Sequence, residues 1–207
     1  DGNEVSSTPA FAEDGTTEIG TFSIDPATGQ VTFTPTDKSY TGAVTPAKVQ
    51  AESSNGIKVD TTYTPEIVPV TPTATPAETT DIQGATQTGK PEFKGGTVTV
   101  DGVEKTVEIN EAVPATFDDR STTKTVDGVG TYTVAADGTV TFVPEKSFVG
   151  TAPAVTVVRE DKNGTKASAT YTPTVTPVTP TATAVETTDI QGATQTGKPV
   201  FTEGDSR

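Results

Sequence analysis

The sequence predicts an all-β chain built of tandem sandwich-like domains, or partly open barrels, joined by extended Thr/Pro-rich connectors. Three observations lead there. No leucine occurs in the 207 residues, although Leu is normally among the commonest residues and a strong helix former. Val, Ile, Thr, Phe and Tyr stand in its place, and these suit a pleated, half-buried surface. Finally, 16 Pro and 19 Gly punctuate the chain, and long blocks of it recur. Leu, Ile, Val and Phe together make up only about a fifth of the residues, close to the level at which acidic chains stay unfolded. Alternation decides between the two states, because strands need it and disordered tracts do not.

The clearest alternation lies in two matching blocks. "GTFSIDPATGQVTFTP" at 20–35 answers "GTYTVAADGTVTFVP" at 130–144. In the second, Tyr132 and Val134 alternate with Thr, Asp137-Gly138 turns the chain, and Val140 and Phe142 alternate again. Alternating runs around Asp-Gly are a strong hairpin signal. The blocks differ by one residue, which falls in the turn, where a hairpin tolerates it; a slip inside a strand would reverse every side chain. Phe22, Ile24, Val31 and Phe33 in the first block, with Tyr132, Val134, Val140 and Phe142 in the second, are the expected core.

Further strands are expected at 43–52 and 58–63 around Asn55-Gly56, with counterparts at 154–159 and 166–171 around "EDKNG". Two shorter ones are expected at 96–103 and 106–109. Between the blocks, "TPEIVPVTPTATPAETT" at 64–80 carries Pro65, Pro69, Pro72 and Pro76. Each proline fixes its own φ and pushes its predecessor toward an extended form, which makes a semi-rigid spacer of about 3.1 Å per residue.

"ETTDIQGATQTGKP" follows that spacer at 78–91 and returns unchanged at 186–199. "VTPTAT", "TYTP" and "NG" recur at the same offset of about 108 residues, a period that implies tandem whole domains rather than a solenoid of short units. The expected division is a first repeat at 1–77 with a shortened start, a complete repeat at 78–185, and the start of a third at 186–207. A segment cut from its own domain frays unless something holds it. Residues 189–201 are therefore expected to contact the preceding repeat or an adjacent chain, and 81–93 to bridge the first and second repeats. Asp81, Gly84 and Gly89, with Asp189, Gly192 and Gly197, would form this inter-repeat joint, the glycines allowing close approach or positive φ. The alternative is an exposed flexible linker.

Charge and composition exclude several functions. Lys+Arg number 14 against 28 Asp+Glu, a net charge of -14 and a pI near 4.3. Phosphate backbones and anionic membranes need clustered Lys and Arg, so neither nucleic acid nor a membrane surface is an expected partner. Without His and Cys, most zinc, iron–sulfur, haem and copper sites and every Ser-His-Asp or Cys-His arrangement are excluded. Asp161 with Asn163 in "DKNG" offers two oxygen ligands toward Ca²⁺, against the plain reading of an Asx-rich turn. Lys124 with Asn163 suggests an intramolecular amide cross-link, against a solvated lysine. Carboxylate pairs suited to glycosidic chemistry arise by chance among so many acids. No catalytic residue and no cofactor are assigned.

Four stretches together are similar to one family: "GATQTGKPEF" at 84–93, "VPATFDDRSTTKTVDGVGTYTV" at 113–134, "DGTVTFVPEKSFVGTA" at 137–152 and "TYTPTVTPVTPTA" at 170–182. They resemble the fibril repeats of CshA-type surface adhesins from oral streptococci and their relatives. The first repeat carries "PTDKSYTG" at 35–42 in the matching place, but its 14–20 is shorter than the pattern, and 95–110 departs from it. The resemblance implies an extracellular, cell-wall-anchored, non-enzymatic protein whose repeats form a fibril and contact neighbouring repeats in the same chain. It also implies that host glycoproteins are bound through other regions. The alternative from another class is an adhesive module, in which the repeats themselves bind a host glycoprotein or a neighbouring cell.

Overall fold

The computed structural model describes residues 6–204, and all the regular structure among them is strand. In chain order the first strands are β1 (Ser7–Phe11), β2 (Glu18–Ile24), β3 (Val31–Pro35), β4 (Gly42–Ala43), β5 (Ala47–Glu52), β6 (Lys58–Tyr63) and β7 (Glu66–Ile67). There follow β8 (Thr73–Thr75), β9 (Ala77–Ile82), β10 (Gln87–Gly89), β11 (Glu92–Lys94), β12 (Gly96–Val100) and β13 (Val103–Val107). The next are β14 (Thr116–Phe117), β15 (Thr123–Val126), β16 (Gly130–Val134), β17 (Val140–Pro144), β18 (Gly150–Thr151), β19 (Val155–Glu160) and β20 (Lys166–Thr176). β21 (Thr181–Thr183) and β22 (Val200–Thr202) complete the chain.

The strands gather into two compact units that interleave along the sequence. The first holds residues up to Thr73 with Lys94–Asn110 and Glu160–Ala167; the second holds Ala74–Phe93, Glu111–Arg159 and the residues from Ser168 onward.

In the first unit, β1, β2 and β3 form an antiparallel sheet in that order, and β5 pairs with β6 and β4 with β7. Phe22 stands opposite Phe33 across the β2–β3 ladder, their rings 5.5 Å apart. Ala10, Ala12, Ile19, Phe22 and Val44 are the buried core, with Val31, Phe33, Tyr40, Ala47 and Ile67 half-buried against it. Ile24 is also only half-buried. β12 and β13 form a hairpin whose turn is Asp101-Gly102, both at positive φ (53° and 75°). The expected strands at 96–103 and 106–109 are corrected accordingly: the two residues needing left-handed φ are an Asp-Gly pair, so the chain reverses there rather than at 104–105.

The second unit is a sandwich of two sheets. One runs β10-β17-β16-β15; the other runs β14-β19-β20-β18, with β9 added against β20. Tyr132 and Phe142 face each other across β16–β17 at 4.6 Å, both fully buried, and Val134, Val140, Val157, Tyr171 and Val175 pack around them. Aromatic pairs at such distances contribute beyond their buried area. The Tyr132 hydroxyl donates to the Pro153 carbonyl at 2.8 Å, so its burial leaves no polar group wanting.

The two units share one plan. β2–β3 matches β16–β17, β4 and β5 match β18 and β19, and β6 with β7 matches the two halves of β20. They differ in how well the plan is covered. Phe142 and Val140 are wholly buried, whereas Phe33 and Val31 at the same places are not. Phe142→Ala is expected to cost about 3–5 kcal/mol in urea unfolding, and Phe33→Ala clearly less. Equal losses would contradict this difference in burial.

Candidate functional site

The duplicated segment is where the two units differ, and in the second unit it forms an arch between the two sheets. β9 runs parallel to β20, from Ala77 opposite Tyr171 to Ile82 opposite Thr176. The chain then turns at Gly84, φ 82°, where the Ala85 amide donates to the Ile82 carbonyl at 3.1 Å. β10 joins the other sheet antiparallel to β17, Gln87 opposite Phe142 and Gly89 opposite Val140. A run of Thr, Gln and Gly can do this because Thr is β-favouring and Gly opens the turn.

What fixes the arch is a buried polar network. Gln87 is 3% exposed. Its amide Nε2 donates to the Thr174 carbonyl at 3.0 Å, and its Oε1 accepts from the Thr79 hydroxyl at 2.6 Å. The same Thr79 oxygen lies 2.7 Å from the hydroxyl of buried Tyr171. Thr79 has one proton, given to Gln87, so Tyr171 is the donor in that bond. Gly89 closes the network sterically: a Cβ there would stand 2.2 Å from the Tyr171 ring. Gln83 finishes the arch, its amide N–H donating to the Thr176 carbonyl at 2.8 Å and its Nε2 to the Lys146 carbonyl at 2.8 Å.

Of the residues expected at an inter-repeat joint, the first three lie in the arch. Asp81 and Gly89 belong to strands of one unit, and Gly84 to the turn between them. Asp189, Gly192 and Gly197 lie in the second copy, which keeps the same local form. Thr187 donates to Gln195 at 2.6 Å, the Ile190 amide to Asp189 at 2.7 Å, and β21 pairs with β22. Residues 182–203 are nevertheless exposed. Sequence reasoning overlooked Thr79, Gln87 and Tyr171; a glutamine returning unchanged within a strand-forming run was the available signal.

The acidic residues serve their own turns. Asp14, Asp25, Asp37, Asp119 and Asp137 each accept the amide two residues on. Asp161 does likewise, its Oδ1 taking the amides of Asn163 and Thr165 at 2.9 Å each. That is an Asx turn. Among the described residues no group of three or more His, Cys, Asp or Glu stands together to hold a metal. Lys124 is paired with Asp118 and, at 3.3 Å, with Asp119, over the Phe117 ring. Those carboxylates, Asp118 foremost, raise its pKa. Asp14 is lowered to about 2 by the Thr17 hydroxyl and the amides of Thr17 and Thr16. The Lys90 ammonium and Thr139 hold Asp137 well below the usual carboxylate range.

The family model described as the surface adhesin CshA repetitive domain matches residues 1–67 and 69–175. The chain belongs to that family. Its members are repeats of surface adhesins, and the all-β tandem architecture is that of such a repeat array. Repeat domain 13 of the fibrillar adhesin CshA from Streptococcus gordonii, solved by NMR, is 58% identical to this chain. The match covers 32% of this chain and 86% of that one, with a TM-score of 0.20. No curated protein matches. In this repeat chain both family matches end at corresponding residues, Ile67 and Val175, and the second takes in the whole of the arch.

Two outcomes follow from the network and the turns. Thr79→Ala removes the partner of both Tyr171 and Gln87, so about 1–3 kcal/mol is expected to be lost in urea unfolding. Thr187→Ala at the exposed copy is expected to cost almost nothing. Asp14, Asp25, Asp37, Asp119 and Asp137 have folded pKa values below their unfolded ones, so each contributes stability above its unfolded value that is lost as pH falls. Thermal melts are expected to hold constant through neutral pH and decline from 3.8 down toward about 2. At the other end, burial pushes Tyr132 from 10.0 up to about 12. Stability should therefore also fall as pH rises beyond 10.0, where unfolded tyrosine ionises and the buried one does not.

Proposed function

We propose that this chain is a load-bearing stalk of a cell-wall-anchored surface fibril, without enzymatic activity, that carries a distal binding region away from the cell. The supporting observation is the pairing of β9 with β20. β9 opens the second unit and β20 closes its sandwich, and they lie parallel over six residue pairs. Tension applied at Ala77 and beyond Thr176 slides these strands lengthwise past each other. Every backbone bond between them is then loaded at once, instead of one after another as when a hairpin is peeled open.

The surface suits such a role. Several of its Asp residues are held in their own turns, and the net charge of -14 resists lateral clumping of neighbouring stalks. Host glycoproteins would be engaged by other regions of the fibril protein. Neighbouring repeats of the same chain would be the stalk's own partners.

Single-molecule pulling on the full chain, tethered at its two ends, tests this reading. The expected record has two events, the first unit yielding at lower force than the second. In the first unit, β6 and β7 have no parallel partner strand among the described residues. Both units yielding together at low force would contradict a stalk role. Saturable, micromolar binding of the chain to host glycoproteins at physiological salt would favour the adhesive-module reading instead.

A further inference from the structure

Asparagine precedes glycine in two matching hairpin turns, Asn55-Gly56 between β5 and β6 and Asn163-Gly164 between β19 and β20. Along the backbone the turns agree bond for bond. The Ser53 amide donates to the Ile57 carbonyl and the Asp161 amide to the Thr165 carbonyl, both at 2.9 Å. The Gly56 amide donates to the Ser53 carbonyl at 2.9 Å and the Gly164 amide to the Asp161 carbonyl at 3.0 Å. Both glycines take positive φ, 82° and 85°. The side chain that opens the turn is what differs. Ser53 accepts the Ile57 amide at 3.0 Å and donates its hydroxyl proton to Oδ1 of Asn55; the Ile57 carbonyl, at 3.1 Å, is its longer acceptor. In the matching place Asp161 accepts the amides of Asn163 and Thr165 on Oδ1, and its buried Oδ2 has no hydrogen-bond partner.

That difference bears on a reaction the dipeptide can undergo by itself. A glycine nitrogen, unhindered by a Cβ, can reach the carboxamide carbon of the asparagine before it. The bond from the glycine nitrogen to Cγ forms, the bond from Cγ to Nδ2 breaks, and the amide proton departs with Nδ2 as ammonia. Water then opens the resulting succinimide at either carbonyl, leaving an aspartyl or an isoaspartyl residue. Nothing is oxidised or reduced. During the attack negative charge gathers on Oδ1, and a donor already held at that atom lowers the barrier. Ser53 is such a donor for Asn55. Asp161 gives Asn163 no such help, because a carboxylate only accepts. The attacking nitrogen is bound alike in both turns, so the activation of the carboxamide decides between them.

We propose that Asn55 is a site of spontaneous deamidation promoted by the Ser53 hydroxyl, and that Asn163 in the matching turn is spared. The change runs one way, because ammonia leaves, so the converted fraction grows with the age of the chain. Its isoaspartyl product routes the main chain through a side-chain carbon and lengthens the turn by a methylene. The Gly56–Ser53 and Ser53–Ile57 backbone bonds close around that point and lose their register. Either product also adds a carboxylate to a turn flanked by Glu52, which is paired with Lys58 at 3.5 Å and stands opposite it at the end of the β5–β6 ladder. Like charge there weakens the end of the hairpin. The inference is independent of the stalk reading, since it concerns the chemistry of one turn.

The test incubates the full chain at neutral pH and follows conversion of amide to acid at residues 55 and 163 by peptide mass spectrometry, with the same chain in urea as reference. Asn55 is expected to convert faster than Asn163 in the folded chain, and the gap to close in urea, where both are plain Asn-Gly. Ser53→Asp gives the first turn the arrangement of the second and should slow Asn55 about tenfold, less than the roughly 10²–10⁴ that a positioned proton donor supplies in an active site. Ser53→Thr keeps the hydroxyl and should keep the rate. Circular dichroism checks that each variant remains folded. Four results would each overturn the proposal. Asn163 could convert as fast as Asn55 in the folded chain. The gap could persist in urea, meaning that neighbouring sequence and not the turn sets it. Ser53→Asp could leave the rate unchanged. Ser53→Thr could slow it as much as Ser53→Asp does, meaning that the hydroxyl is not the active group.

Discussion

The second unit depends on a buried side-chain amide whose oxygen and nitrogen are both hydrogen-bonded. Gln87 sits between the two sheets, and its Oε1 and one N–H are taken by Thr79 and by the Thr174 carbonyl. A buried amide without partners would cost several kilocalories per mole, so these residues act together or not at all. The network ties β10, in one sheet, to β9 and β20, in the other. Tyr171, Phe142 and Val140 are sealed from water because the arch lies over them, and the arch lies there because its polar groups are matched.

That constraint accounts for the plainness of the repeated segment. Its work needs a threonine hydroxyl, a glutamine amide, a glycine with no Cβ and a turn residue able to take positive φ. None of these is a catalytic type, and each is specified at one position. A Gln→Glu change would bring a charge into the site, and a Gly→Ala change would drive a methyl into the Tyr171 ring. The make-up of the packed copy is then a matter of fit.

Much of the fold was legible in the sequence. The β2–β3 and β16–β17 hairpins follow from strict alternation around short turns, and the absence of leucine and surplus of threonine announce strands throughout. Other parts were not. Asp101-Gly102 carries the same turn signal as Asp137-Gly138, but the polar run "DGVEKT" around it hid the register. Phe33 and Phe142 look alike in sequence; only the strand added beside Phe142 makes their burial different. The form of the arch was hidden because its pairing partners lie up to 95 residues away, as between Asp81 and Thr176. No local pattern reports a parallel pairing of that span. The turn role of Asp161 was visible, since Asp followed by Asn-Gly is turn chemistry before it is a ligand set.

The same fourteen residues thus occur twice in one chain, once packed and once in solvent, which makes an internal comparison possible. Hydrogen exchange followed by mass spectrometry on the full chain at high dilution distinguishes the copies by their flanking residues. Slow exchange in this segment comes from the strands it covers, because the local form is shared by both copies and only the first is packed. Amides of 79–89 should then exchange as slowly as those of β16 and β17, and amides of 187–197 orders of magnitude faster. Equal exchange in the two copies, fast or slow, would contradict it.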